Sequence, residues 1–140
     1  MIKALIKDFC QDIEVLNIGC KNLENAVEKG ALESKQTFAL LKKYLKKVKN
    51  SSADYLVLAC THYPFLREYI RKIVGSKINI IDSGAAIAKH TKNLLVKNHI
   101  KNNQKQKGSY LYFTTGNPAK FSRVASKLLK VKVASKKVKI

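Results

Sequence analysis

An α/β fold built on parallel strands is what this sequence predicts, and three observations carry the prediction. Short apolar runs alternate with amphipathic stretches, as a succession of βα units requires. One run, Tyr55-Leu56-Val57-Leu58-Ala59-Cys60, is continuously apolar between polar turns, the pattern of a parallel strand buried on both faces. Gly, Ser, Asn and Pro stand where the helices should start or stop.

The elements follow in chain order. Asp12 to Ile18 alternates like a strand with one wetter face. Lys21 to Lys29 reads as a short helix ended by Gly30. Ser34 is the expected N-cap of a lysine-rich helix in which Phe38, Leu41, Leu45 and Val48 recur at helical spacing, and Asn50-Ser51-Ser52 breaks it. After the Tyr55–Cys60 strand, Pro64 pre-sets a helix running to Val74 before Gly75. Ile78 to Ile81 is a second buried strand, and Asp82-Ser83-Gly84 turns into a helix from Ala85 to about Asn98. His99 to Gly108 is a polar loop, Tyr110 to Thr114 a strand, and Asn117-Pro118 opens a helix to Leu129. Val131 to Ala134 fits a last strand, within a stretch from Lys130 that reads as a frayed basic tail. The chain opens on helix-like residues rather than on the strand that starts a βαβ unit, so the sheet is expected to be incomplete, its N-terminal half missing.

Composition bounds the function. With 140 residues, 46% of them hydrophobic and 26% charged, the chain suits one ordinary globular domain rather than a disordered segment. No apolar run approaches the roughly 20 residues of a membrane helix, and Met1 to Asp8 carries charges within its apolar stretch, unlike a signal peptide. The expected location is the cytoplasm, with no membrane partner. The formal charge is +19, yet of the 28 basic residues only Arg67, Arg71 and Arg123 are arginine. Arginine is the preferred reader of phosphate and base edges, so lysines spread along helical faces read as solvated surface. Nucleic acid is therefore not an expected partner. A basic nucleic-acid-binding module is the alternative reading.

Cys10, Cys20 and Cys60 are odd in number and follow no secretion signal, which speaks against a disulfide framework, and they lack the spacing of a zinc site. No Cys-x-x-Cys is present to suggest thiol redox chemistry. Each must be judged by its surroundings. In open α/β sheets ligands sit beyond the carboxyl ends of strands. Three predicted strand ends carry chemistry: Gly19-Cys20, Cys60-Thr61-His62 and Asp82-Ser83-Gly84. The second is richest. Cys60 leaves a strand and meets the positive end of the next helix, which favours thiolate over a thiol of ordinary pKa about 8.5. His62 is placed to orient that thiol or exchange protons with it, and Thr61 adds a hydroxyl. A structural cysteine beside a surface histidine would look the same in these residues alone. Asp82 reads as a turn or cap residue, and His90 and His99 as residues of a helix and its end.

The run from Leu56 through Ala59-Cys60-Thr61-His62-Tyr63-Pro64 to Leu66 resembles the second active-site signature of glutamate racemases. Its usual form is an apolar strand, Gly-Cys-Thr-His, an aromatic residue, Pro and Leu; here Ala59 stands where glycine is usual. Gly19-Cys20 with Ala26-Val27-Glu28-Lys29-Gly30 is similar to another family segment, with Lys21 where proline is common. Asn79-Ile80-Ile81-Asp82-Ser83-Gly84 and Phe113-Thr114-Thr115-Gly116-Asn117-Pro118 resemble the closing segments, in order.

What the resemblance implies is the parallel-sheet, three-layer fold of the aspartate/glutamate racemase type, incomplete. Residues 1–130 would form the C-terminal portion, comprising most of the second domain and the closing segment of the first, with 131–140 a basic tail. It further implies racemisation of glutamate by two cysteine bases, without pyridoxal phosphate, metal or other cofactor. Cys60 and His62 match the catalytic pair for the L-glutamate face; Thr61, His62 and Glu28 match substrate-site positions. The family's Cys-Asn-Thr motif, bearing the other base, is absent, and neither Cys10 nor Cys20 matches it. The chain alone is thus expected to be inactive, its partners being glutamate and a separate N-terminal racemase half or another copy of itself.

Overall fold

The computed structural model describes Asp8 and residues 12–140; Cys10 lies outside them. Among the described residues, β1 (Tyr55–Val57) pairs in parallel with β2 (Asn79–Ile81), Leu56 opposite Ile80. A second parallel pair joins β3 (Tyr112–Thr114) to β4 (Ser135–Lys137), Phe113 opposite Lys136. The connections hold α1 (Leu23–Glu28), α2 (Lys35–Lys49), α3 (Arg67–Val74), α4 (Gly84–Lys97) and α5 (Pro118–Leu129), with a 3-10 turn over Tyr63–Leu66 leading into α3. The α/β class with parallel strands is the one the sequence predicts.

Helix ends obey local chemistry. Ser34 Oγ accepts from the Thr37 N–H at 3.1 Å, capping α2, and Asn117 Oδ1 accepts from the Lys120 N–H at 2.9 Å, capping α5. Each satisfies one of the orphan N–H groups of a first turn. Gly30 (φ 64°) and Gly75 (φ 80°) follow helices in backbone that a side chain would strain.

The core lies between the helices and one face of β1–β2. Leu23 and Val27 of α1, Leu41, Leu45 and Val48 of α2, and Leu66, Ile70 and Val74 around α3 close over Leu58, Ile78 and Ile80. Apolar burial of this kind supplies most of the stability of short helices. A cross-tie joins α5 to this body: Lys127 Nζ donates to the Gly30 carbonyl at 2.5 Å, and Leu128 packs against the core.

Four local expectations are corrected. Asp12 to Ile18 forms no strand; Ile13, Val15 and Leu16 are exposed. Alternation encodes a face, but a strand also needs a ladder partner. β1 is buried on one face only, Leu56 and Leu58 turning inward while Tyr55 and Val57 are 56% and 61% exposed. On α2 the buried stripe is Thr37, Leu41, Leu45 and Val48, with Phe38 half-buried at its edge. Thr37 tolerates the interior because its hydroxyl donates to the Ala31 carbonyl at 2.7 Å. The expected frayed tail carries β4, one step beyond the Val131–Ala134 strand. Serines of α5 hold it: the Val133 N–H donates to Ser126 Oγ (2.9 Å) and the Ser135 N–H to Ser122 Oγ (3.0 Å).

Candidate active site

The chain leaves the sheet just after β1. The Leu58 N–H donates to the Ile81 carbonyl at 2.8 Å, the last rung before the turn. The Cys60 carbonyl then accepts from the Tyr63 N–H (3.1 Å) and the His62 carbonyl from the Phe65 N–H (3.2 Å). These bonds coil Cys60 to Phe65 tightly and bring the Cys60 and His62 side chains together. Ala59 keeps a negative φ, so alanine in place of the usual glycine costs no backbone strain.

The resulting geometry is a three-residue relay. Cys60 Sγ lies 3.8 Å from His62 Nδ1, and Thr61 Oγ1 lies 3.5 Å from the same nitrogen. On the far side of the ring, His62 Nε2 is 3.3 Å from Glu28 Oε1. Glu28 reaches the ring because Leu23, Ala26 and Val27 bury the opposite side of α1. A carboxylate can only accept, so it selects the imidazole tautomer whose Nε2 carries the proton. The Nδ1 lone pair then faces the thiol. This arrangement can take a proton from sulfur and hold the resulting imidazolium beside a carboxylate, which is what activating a cysteine requires. Cys60 and His62 are half-buried and Thr61 is exposed, so the thiol stands at an open edge.

Cys20 sits close by in a different environment. Tyr63 Oη donates to the Cys20 carbonyl at 3.5 Å, while Tyr44 Oη accepts from the Lys21 N–H (3.0 Å) and donates to its carbonyl (3.1 Å). Burial pushes the Cys20 thiol up against a lowering hydrogen bond from Tyr63, and the charges of Glu24 and Cys60 add to the rise. Burial, with Cys20 and Cys60 nearby, likewise pushes the Tyr63 phenol up to about 12. Burial and the neighbouring charges thus favour the neutral form of the Cys20 thiol.

Asp82 is occupied otherwise. Arg67 donates to its Oδ2 (2.5 Å) and to the Ile80 carbonyl (2.7 Å), and the Gly84 N–H donates to Asp82 Oδ1 (2.8 Å). The Arg67 hydrogen bond, helped by the Gly84 N–H, holds the carboxyl below the usual carboxylate range. A Cβ at residue 84 would come within 2.9 Å of Asp82 Oδ1, so a larger residue there would displace that carboxylate. His90 and His99 take no part in the Cys60 cluster. Sequence reading singled out Cys60, Thr61, His62 and Glu28, and the structure brings these four together. It missed Tyr63 and Tyr44 as the residues that fix the Cys20 loop, because contacts across 43 and 23 residues leave no periodic trace.

No protein-family model matches the chain. A glutamate racemase of Herpetosiphon aurantiacus is 36% identical over 122 residues, 87% of this chain and 48% of that protein. The glutamate racemase of Bacillus cereus is 30% identical over 122 residues, again 87% of this chain but 45% of the relative. Among solved structures, a glutamate racemase isoform of Bacillus anthracis superposes with a TM-score of 0.84 at 27% identity, covering 99% of this chain and 52% of that one. The Francisella tularensis glutamate racemase, solved in complex with D-glutamate, gives 0.81 at 27% identity, covering 98% and 52%. The chain thus spans about half the length of the relatives it matches. By sequence and by fold it is similar to glutamate racemases over about half of their architecture.

Proposed function

We propose that this chain supplies one catalytic face of a cofactor-independent glutamate racemase. Cys60 is the base for the α-proton of L-glutamate, His62 moves its proton, and Glu28 fixes the histidine tautomer. Thr61 and the turn's backbone N–H groups are suited to the substrate carboxylate, and a strongly basic chain attracts an anionic amino acid. The observation that carries this reading is the Cys60–His62–Glu28 relay, set within the Ala-Cys-Thr-His-Tyr-Pro run.

Racemisation needs a base on each face of the substrate, because a single base returns its proton to the side it came from. With the Cys20 loop tied down by Tyr63 and Tyr44 and no Cys-Asn-Thr motif in the chain, one face is equipped here. The reading therefore includes a partner: the other half of the racemase fold, bearing the second thiol. Assembled, the enzyme would act in the cytoplasm and provide D-glutamate for peptidoglycan.

The test is chiral chromatography of L- and D-glutamate incubated with the purified chain, alone and with the N-terminal half of the Herpetosiphon aurantiacus racemase. The chain alone should leave either enantiomer unchanged. The mixture should interconvert them, and Cys60→Ser in this chain should abolish that activity. Turnover by the chain alone that is lost in Cys60→Ser would overturn the half-site reading. A mixture that turns over with Cys60→Ser as fast as without it would overturn the role of Cys60.

A further inference from the structure

A second feature owes nothing to the thiol site. Two adjoining surface grooves of about 420 and 760 Å³ run between α2 and α3 and share Phe38, Lys42 and Lys72. Lys46 and Lys49 extend the first along α2, and Tyr69 lines the second. Neither contains Cys60, Thr61, His62 or Glu28.

The charge in this groove is one-sided. Lys42, Lys46 and Lys49 recur at spacings of four and three, so their ammonium groups share one face of α2, and Lys72 joins them from α3. Like charges so spaced repel. No carboxylate answers them: the ion pairs among the described residues are His62–Glu28 and Arg67–Asp82. The one acid at the groove, Glu33, accepts the Tyr69 hydroxyl at 2.8 Å. Aromatic rings lie among the lysines, with Lys42 Nζ 4.9 Å from the Phe38 ring centre and Lys72 Nζ 5.5 Å from that of Tyr69. Phe38 stands at this edge because Thr37 takes the interior position.

We propose that this groove binds single-stranded nucleic acid, the lysines tracking phosphates and Phe38 and Tyr69 offering faces to the bases. A cationic channel interleaved with aromatic side chains is how sequence-tolerant single-strand sites are built. Lysine in place of arginine removes bidentate base reading but keeps phosphate attraction, so binding is indifferent to sequence. Aromatic side chains among the lysines suit unpaired bases, which a duplex does not offer. The single strand is the form that fits.

The test uses the whole chain and a fluorescein-labelled oligothymidylate of roughly fifteen nucleotides, read by anisotropy. Four phosphate contacts should make log affinity fall against log salt with a slope of about −3. Replacing Lys42, Lys46, Lys49 and Lys72 together by Gln should weaken binding at least about tenfold at moderate salt. The control removes the same charge elsewhere, replacing Lys89, Lys92, Lys97 and Lys101 by Gln, and should change affinity less than about threefold. Phe38→Ala should cost at least about fivefold, with far-ultraviolet circular dichroism confirming the fold. Equal losses in the two fourfold variants would reduce the effect to net charge and overturn the site. So would undetectable binding at about 0.1 M salt, or a duplex bound more tightly than the single strand.

Discussion

Two regions of this chain follow the same local rules and come out differently. Between Leu23 and Ile80, helices and strands close over a continuous apolar cluster. From Gly84 onward, α4 and α5 contain no buried residue, and Val133 is the one buried hydrophobic described. Yet α4 is as long as a good helix, and α5 has both an N-cap and Pro at its start. Ile87, Leu94, Val96 and Ile100 on and after α4 remain exposed, as do Tyr55, Val57 and Ile81 on the outer face of β1–β2. A parallel sheet is ordinarily covered on both faces. The contrast teaches that local signals form an element, while covering it takes a second surface. The open surfaces are where the other half of the racemase architecture is proposed to sit.

The comparison can be broken by substitution, beginning with the largest effect. Leu66 is fully buried at the centre of the first region, so Leu66→Ala should destabilise the chain by about 2–5 kcal/mol in urea denaturation. Leu94→Ala on α4 should change it by less than about 0.5 kcal/mol. Comparable losses at the two sites would mean the regions are equally packed. Next comes Thr37→Val, which removes the hydroxyl bond to the Ala31 carbonyl, leaving that oxygen only the Ser34 N–H, and should cost about 1–2 kcal/mol.

Smaller still are the caps. Ser34→Ala and Asn117→Ala each remove one bond to a first-turn N–H, and each should cost about 1 kcal/mol where its helix is coupled to the cooperative unit. If Asn117→Ala leaves the main transition unmoved while Ser34→Ala shifts it, the second region unfolds separately, which sharpens the contrast. The smallest effect is a pH effect. Arg67 depresses the Asp82 carboxyl, so this contact stabilises the fold above the ordinary carboxylate pKa of about 4 and is lost as pH falls through the lower folded value. Denaturation midpoints of Asp82→Asn and of the unaltered chain should therefore differ at pH 7 and converge in acid. A difference that grows in acid would reverse the assigned sign.

Legibility differed in the same way between fold and site. The Ser34 and Asn117 caps, the Gly30 and Gly75 stops and the Pro64 and Pro118 starts could be read directly, because each acts within a few residues of itself. The proximity of Cys60 and His62 was legible for the same reason, being two residues apart in a turn. Glu28, 34 residues away from His62, was reached only through family resemblance; nothing in its own neighbourhood announces it.

The sequence by itself determined the α/β class, the caps and stops of the helices and which thiol has a histidine within reach. Those properties rest on backbone propensity, capping and short loops. Tertiary structure alone decided that Asp12 to Ile18 stays unpaired, that Thr37 and not Phe38 faces inward, and that the basic C-terminal stretch carries a strand held by α5 serines. It also decided that Lys72 of α3 joins Lys42, Lys46 and Lys49 of α2 at one groove. An apolar or charged pattern specifies a face, whereas what that face meets depends on residues brought near by folding.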